Sequence, residues 1–210
     1  MDSIVVVGGG GHAKVVISIL RKLKGHRLLG YTDLRDNGAV LEIPYLGSDS
    51  ELTALASGPQ KLNVVLAVGQ VGLGEARYEL WKRLHTPALS FPLIVSPDAI
   101  VNEGVAGGEG AVVMDGAVIN SGAAIGLGVI VNTNSTVEHD VVLGDWVHVA
   151  PGATLSGGVT VGRFSMIGAG ATVIEGTKIA ARIVVGAGAT VVHDLTEPGV
   201  YVGSPARRIK

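Results

Sequence analysis

The residues best suited to chemistry in this sequence are two histidines, which lie nine residues apart in the segment VEHDVVLGDWVH (137–148). His139 stands between Glu138 and Asp140, and His148 follows a tryptophan. An imidazole exchanges its proton near neutral pH and also binds metals. Each histidine is therefore compatible with proton transfer, with metal binding or with a structural role. Its position in the fold determines which of these roles it can have.

Composition and charge limit the classes of protein to which the chain can belong. Its 210 residues are 47% hydrophobic and 16% charged, which favours a folded protein over a disordered one. The net charge is −2, and no basic run is longer than the pair Arg207–Arg208, so we expect no nucleic-acid partner. No apolar stretch approaches the roughly 18 residues of a membrane span, so we expect no membrane insertion.

The chain contains no cysteine, which excludes disulfides, thiolate metal sites and a cysteine nucleophile. The first residues, MDSIVVVGGGG, lack the cationic start of a signal peptide. Both observations favour a cytoplasmic location.

The first half of the chain alternates short β-branched runs with amphipathic segments. This order predicts a small parallel sheet with helical crossovers, a Rossmann-like βαβαβ domain. The predicted strands are 3–8, 27–33 and 62–69, and the predicted helices are 12–23 and 74–84.

The second half follows a strict period of six residues. Fourteen consecutive positions of this period are aliphatic: Val113, Ile119, Ile125, Val131, Val137, Leu143, Val149, Leu155, Val161, Ile167, Val173, Ile179, Val185 and Val191. A period of six fits a parallel β-helix, in which three hexapeptides form a coil of about 18 residues and neighbouring coils bury one another. Within such a coil His139 stands beside a corner and faces outward, and Gly157 occupies the same column one coil later.

A glycine run follows the first predicted strand and opens the first predicted helix. Gly8, Gly10 and Ala13 fit the pattern G-x-G-x-x-A, and Asp33 follows the next strand at the place of a ribose-binding acid. A dinucleotide-dependent oxidoreductase is one interpretation. However, fewer than about 100 residues precede the β-helix, which leaves room for one mononucleotide-binding half only.

Together, the hexapeptides, the N-terminal GGGGHAK, the central NTNSTVEHD and the C-terminal GVYVGSPARRIK resemble one family over essentially the whole chain. This family comprises the bacterial sugar acyltransferases related to sialic acid O-acetyltransferase, and the similarity is greatest to nucleotide-sugar N-acetyltransferases of the bacillosamine and perosamine type. The resemblance implies a left-handed β-helix. It also implies two domains, a nucleotide-sugar-binding domain over 1–95 and an acetyl-CoA-binding β-helix with a closing loop over 96–210.

The resemblance further implies acetyl-CoA-dependent acetylation of the 4-amino group of a UDP- or GDP-linked 4-amino-4,6-dideoxysugar for glycan biosynthesis. It makes His139 the general base, supported by Asp140, and implies a homotrimer without a metal. The substrate-binding positions that it implies are Gly10, Gly11, His12, Asp33, Gly69 and Asn132. For acetyl-CoA the corresponding positions are His148, Gly157, Ala169 and Ala187.

Three other functions remain open at the level of sequence. A zinc carbonic anhydrase on a β-helix would need three converging histidines, and His139, His148 and His193 have poor spacing for that. A non-catalytic protein that binds nucleotide sugars could keep the same fold. A sialic acid-type O-acetyltransferase could use the same base on a hydroxyl group, although the glycine loop favours the N-acetyltransferase.

Overall fold

The computed structural model describes residues 2–56 and 61–210. Its N-terminal part is a parallel sheet of four strands in the order β2-β1-β3-β4, with three helices. The strands are β1 (Asp2–Val7), β2 (His26–Thr32), β3 (Leu62–Leu66) and β4 (Leu89–Ser90). The helices are α1 (Gly11–Lys22), α2 (Glu51–Leu55) and α3 (Glu75–Leu84). The predicted Rossmann-like domain is confirmed, and α2 and β4 are additions that the sequence pattern did not predict.

The rest of the chain is a β-solenoid whose strands are mostly two residues long. These strands are β5 (Ile94–Val95), β6 (Ile100–Val101), β7 (Val112–Val113), β8 (Val118–Ile119), β9 (Ala124–Ile125), β10 (Ile130–Val131), β11 (Thr136–Val137), β12 (Val142–Leu143), β13 (His148–Val149), β14 (Thr154–Leu155), β15 (Thr160–Val161), β16 (Met166–Ile167), β17 (Thr172–Val173), β18 (Lys178–Ile179), β19 (Ile183–Val185), β20 (Thr190–Val191), β21 (Gly199–Val202) and β22 (Arg207–Arg208).

The solenoid strands form three ladders, one for each side of a triangular coil. The first ladder contains β5, β7, β10, β13, β16, β19, β21 and β22; the second contains β6, β8, β11, β14, β17 and β20; the third contains β9, β12, β15 and β18. From β5 to β20 the pairing is parallel, and each residue pairs with the residue 18 positions later, as Ile130 does with His148. The last parallel pair, β19 with β21, has a spacing of 16 residues. Strand β22 turns back antiparallel on β21 and closes the last coil.

The period of six predicted the core of the solenoid correctly. All fourteen aliphatic residues of the period belong to one buried cluster. The corners between ladders take left-handed backbone conformations, which explains the frequent glycines. Five corner residues other than glycine also have positive φ between 55° and 65°, namely Asn134, Asp140, Trp146, Phe164 and Arg182.

The N-terminal sheet docks on the first ladder and on the corner that precedes it. Strand β1 alternates between two cores, with Ile4 and Val6 packed towards α1 and Ile130, and Val5 and Val7 packed towards Trp146. The docking also buries Arg77 of α3, which lies 5.4 Å from the centroid of the Trp146 ring and donates to the Gly128 carbonyl over 2.7 Å. Among the described residues, no helix is both long and apolar enough to span a bilayer.

Candidate active site

His139 lies at the corner between the second and third ladders, on the side of the solenoid that the N-terminal sheet leaves uncovered. Asp140 has a φ of 59°, and this turn brings its Oδ2 to 2.9 Å from His139 Nδ1. The hydrogen bond to Asp140 raises the pKa of the His139 imidazole above its ordinary value. The two side chains are 65% and 73% exposed, so the imidazole is open to a ligand from solvent.

Gly157 lies directly beside the His139 ring in the next coil. A Cβ atom at position 157 would lie 2.6 Å from both Cε1 and Nε2 of His139, so only glycine leaves room for the ring in this position. The corners are joined by a hydrogen bond of 2.9 Å from the Gly158 N–H to the His139 carbonyl. The Gly157 N–H has no acceptor among the described residues. This corner therefore combines a basic nitrogen with a free backbone donor.

The glycine loop connects β1 to α1 and is shaped by close contacts. Gly8 has a φ of 110°, and a Cβ at Gly9 would lie 2.5 Å from the Tyr31 ring. The Gly9 N–H donates to Oδ2 of Asp33 over 2.6 Å, which ties the loop to the end of β2. Helix α1 has no acidic residue in its first turn. Its positive end is therefore free to attract an anion such as phosphate.

A cavity of about 620 Å³ opens above this loop at the carboxyl ends of the parallel strands. It is lined by five of the six predicted substrate-binding residues: Gly10, Gly11, His12, Asp33 and Gly69. Positions 10 and 11 have open space where a side chain would be, so a ligand can approach their backbone N–H groups. This position agrees with the general rule that ligands bind at the carboxyl ends of strands in open α/β sheets.

The sixth residue, Asn132, lies outside this cavity, in the corner between the first and second ladders. Its Oδ1 accepts the Thr133 N–H over 2.8 Å, and its Nδ2 lies 3.0 Å from Nε2 of His148. The other ring nitrogen of His148 donates to the Gln70 carbonyl over 3.0 Å. Asn132 thus contacts the junction between the solenoid and the N-terminal domain.

His148 and His12 are both held neutral by burial. Desolvation lowers the pKa of each to about 4, and each faces an additional positive charge from Arg77. His148 is 6% exposed and both of its ring nitrogens are engaged, so its predicted contact with acetyl-CoA stays a prediction. His12 lines the cavity above the glycine loop, and its Nε2 is buried without a partner among the described residues.

The remaining coenzyme positions lie along the edges of the second ladder. Ala169 and Ala187 are exposed and stacked in one corner column, where the Gly188 N–H donates to the Ala169 carbonyl over 2.8 Å. Gly157 lies in the corner column on the other edge of that ladder. Gly157, Ala169 and Ala187 therefore border one flat face of the solenoid, whereas His148 lies on the first ladder.

Two polar residues that line the cavity above the glycine loop were not predicted from the sequence. Asp49 and Arg83 come from the segment before α2 and from α3, and no motif marks either position. Only the folded arrangement brings them together, with Arg83 Nη2 3.4 Å from Asp49 Oδ2. In residues 2–56 and 61–210 no three His, Asp or Glu side chains are grouped so that they could hold a metal ion.

Comparison with known proteins identifies relatives of the whole chain. Residues 3–79 match the PglD N-terminal domain family. The acetyltransferase domain of PglB from Neisseria gonorrhoeae FA1090, solved with acetyl coenzyme A, is 34% identical, with a TM-score of 0.91; the match covers 99% of this chain and 98% of that chain. No curated protein sequence gave a match.

A second relative is PerB from Caulobacter crescentus, solved with CoA and GDP-perosamine. It is 37% identical, with a TM-score of 0.91, and the match covers 100% of this chain and 98% of that chain. Two histidine mutants of that organism's perosamine N-acetyltransferase, also solved with both ligands, are each 36% identical, with TM-scores of 0.92; each match covers 100% of this chain and 98% of the mutant chain.

These matches extend over the N-terminal sheet and the solenoid together, so they confirm the predicted left-handed β-helix as well as the domain that precedes it. They also confirm the predicted enzyme class and its acetyl donor. The chain therefore belongs to the hexapeptide-repeat nucleotide-sugar N-acetyltransferases, which use acetyl-CoA.

Proposed function

We propose that this enzyme transfers the acetyl group of acetyl-CoA to the 4-amino group of a nucleotide-linked 4-amino-4,6-dideoxysugar. One observation carries the proposal: a chain with a cavity above a glycine loop also presents an imidazole–carboxylate pair beside a free backbone N–H. The Caulobacter relative was solved with CoA and GDP-perosamine, which favours N-acetylation over the alternative O-acetylation. The reaction would serve glycan biosynthesis in the cytoplasm, where acetyl-CoA and nucleotide sugars are available.

The chemistry assigned to this site is direct transfer. The sugar amine attacks the thioester carbonyl carbon, and its proton passes to Nε2 of His139 as the C–N bond forms. Asp140 holds the Nδ1–H tautomer of the imidazole and stabilises the imidazolium. The Gly157 N–H is the candidate donor to the oxyanion. When the C–S bond breaks, the thiolate takes the proton from His139, and free CoA leaves.

The glycine loop and its cavity are proposed to bind the nucleotide sugar. The backbone N–H groups of Gly10 and Gly11, at the positive end of α1, would receive the pyrophosphate. Asp33 retains Oδ1 for the ribose, because its Oδ2 is engaged by the Gly9 N–H. His12 lines the same wall of the cavity, and Gly69 leaves the approach from β3 open.

A homotrimer would complete the site. The nucleotide cavity belongs to the N-terminal domain, which docks on the first ladder, whereas His139 lies at the opposite corner of the same solenoid. A sugar held in one subunit would therefore reach the His139 of a neighbouring subunit. Asn132 would lie near the sugar, and the acetyl-CoA between the two chains would be bordered by His148, Gly157, Ala169 and Ala187.

Subunit mixing tests this arrangement. At a nucleotide-sugar concentration well below KM, His139→Ala and Asp33→Ala are each expected to be strongly impaired alone, but trimers that contain both variants should regain activity, because one junction combines an intact cavity with an intact base. A mixture that stays inactive would contradict the shared site. A fully active protein that light scattering shows to be a monomer would contradict it as well.

Ligand titrations test the assignment of the two ligands to residues 1–95 and 96–210. Asp33→Ala should weaken nucleotide-sugar binding about 10-fold or more, as expected for the loss of a charged hydrogen bond, while acetyl-CoA affinity stays the same. Release of free thiol from acetyl-CoA, measured with GDP- and UDP-linked 4-amino sugars, tests the activity itself. If no amino sugar stimulates thiol release above the rate of buffer hydrolysis, the proposed function is wrong.

A further inference from the structure

The nucleotide cavity ends at a polar pair that the proposed transfer chemistry does not use. Asp49 and Arg83 line this cavity together with Leu34, and the same three residues line a second cavity of about 500 Å³. The second cavity contains none of the glycine-loop residues. Leu34, Asp49 and Arg83 therefore form the boundary on the side away from the phosphate-binding loop, where a nucleobase would lie if the pyrophosphate binds at that loop.

Asp49 is held in a fixed orientation. Its Oδ1 accepts a hydrogen bond of 2.9 Å from the hydroxyl of Thr32, which is completely buried. Its Oδ2 lies 3.4 Å from Arg83 Nη2, a contact too long to satisfy this oxygen fully. The Asp49 side chain is 16% exposed, whereas Arg83 is 63% exposed. The pair thus consists of Asp49, a hydrogen-bond acceptor in a fixed position, and Arg83, a donor that is free to move beside it.

Two leucines line the nucleotide cavity together with this pair. Leu34 follows β2 and is 85% exposed, so its side chain is available to pack against a ligand. Leu80 belongs to α3 and also lines the cavity. A flat base between these two side chains would have its edge towards Asp49 and Arg83.

The chemistry of the pair distinguishes between nucleobases. An ionised carboxylate only accepts hydrogen bonds, and it can accept two at once from neighbouring donors. Guanine offers such a pair, N1–H and N2–H, with the O6 acceptor adjacent for a guanidinium. Uracil offers one N–H between two carbonyl oxygens, which would place an acceptor against the carboxylate. A purine would also use the space that continues into the second cavity.

We infer that Asp49 and Arg83 select guanine, so that the amino sugar is delivered as its GDP derivative. This inference rests on the proposed function, because it assumes that the cavity binds a nucleotide sugar. Asp49 accepts the N1–H and N2–H of the base, and Arg83 donates to O6.

Nucleotide titrations with the intact protein test the inference. GDP should bind about 10- to 100-fold more tightly than UDP, the usual worth of one bidentate base contact. Inosine diphosphate, which lacks the 2-amino group, should bind with intermediate affinity. Asp49→Asn should reduce GDP affinity to about that of UDP, with UDP affinity unchanged within about twofold. Glu51→Gln removes a carboxylate two positions away, outside the nucleotide cavity, and is the matched control.

Each result supports or overturns the inference. Equal or tighter binding of UDP would overturn guanine selection and leave the proposed acetyl transfer intact. An unchanged preference for GDP in Asp49→Asn would show that other groups read the base, and would also overturn it. If neither nucleotide binds while acetyl-CoA does, both the inference and the proposed nucleotide-sugar substrate fail. Circular dichroism of Asp49→Asn, which loses the Thr32 contact, establishes that the variant is folded.

Discussion

The Nδ1 atom of His139 lies 2.9 Å from Oδ2 of Asp140, its immediate neighbour in sequence. Adjacent side chains normally point away from each other along extended chain. Here the left-handed φ of 59° at Asp140 turns the carboxylate back to the ring. The pair is therefore assembled within one corner of the solenoid, and it needs no distant residue to form.

Replacement of His139 tests its proposed role as the general base. His139→Asn or His139→Ala should lower kcat by about 10²- to 10⁴-fold, with little change in KM for either substrate. The side chain is 65% exposed, so no cavity is created in the core and the melting temperature should stay the same. Steady-state kinetics on a variant with an unchanged melting curve are decisive. Near-normal turnover there would mean that the base lies elsewhere.

The pH dependence of catalysis should follow the His139 imidazole. Its pKa is raised by Asp140, and only the neutral form can accept a proton, so kcat/KM should rise with pH through a midpoint above 6.5. Asp140→Asn removes the carboxylate that favours the imidazolium. Its midpoint should therefore move to lower pH, and its plateau should fall. NMR titration of the His139 ring in both proteins checks the assignment, and identical midpoints would contradict it.

Gly157→Ala should disturb the base without unfolding the solenoid. The new Cβ would lie 2.6 Å from Nε2 of His139, so the exposed ring must move away. We expect kcat to fall by about 10-fold or more, because misplacement of a catalytic group by about 1 Å is costly. Ser156→Ala, in the same corner, is the control. A Gly157→Ala enzyme with normal kcat would show that this contact has no catalytic importance.

Acid should weaken the junction between the domains. His12 and His148 keep a pKa of about 4 when folded, against about 6.5 when unfolded, so the unfolded chain binds more protons between these values. Stability should be constant above about pH 6.5 and fall towards pH 4, by about 1–2 kcal/mol per histidine at pH 5. Urea unfolding at pH 5 and pH 8 measures this difference. The difference in the free energy of unfolding between the two pH values should be smaller in His148→Gln. It should stay the same in His193→Gln, the control at an exposed position.

The sequence predicted most of the solenoid because its information is local and repeated. Each inward aliphatic, from Val113 to Val191, recurs after six residues, and one uninterrupted register leaves no alternative pairing. The sheet was predictable for a similar reason, since the buried runs in β1 and β3 are rich in valine. By contrast, β4 is two residues long, too short for any pattern to be recognised.

The environment of the buried histidine could not be predicted from local patterns. His148 contacts the Gln70 carbonyl, 78 residues earlier in the chain, and becomes buried only because the N-terminal sheet docks on the first ladder. The period of six marks His148 as an outward-facing residue but carries no information on what covers that face. Asp49 and Arg83 escaped prediction for the same reason, because 34 residues separate them and no pattern links them.

The register of 18 residues restricts how the length of this protein can change during evolution. Removing or adding a whole coil beyond Gly157 would keep every remaining residue in its ladder and leave the His139 corner unaltered. A change of six residues would rotate all later residues by one side of the triangle, and Ala169 and Ala187 would leave their column. A change of one residue would expose the aliphatic core. Differences in chain length between homologues of this protein should therefore occur in steps of whole coils, or as loops that protrude at the corners.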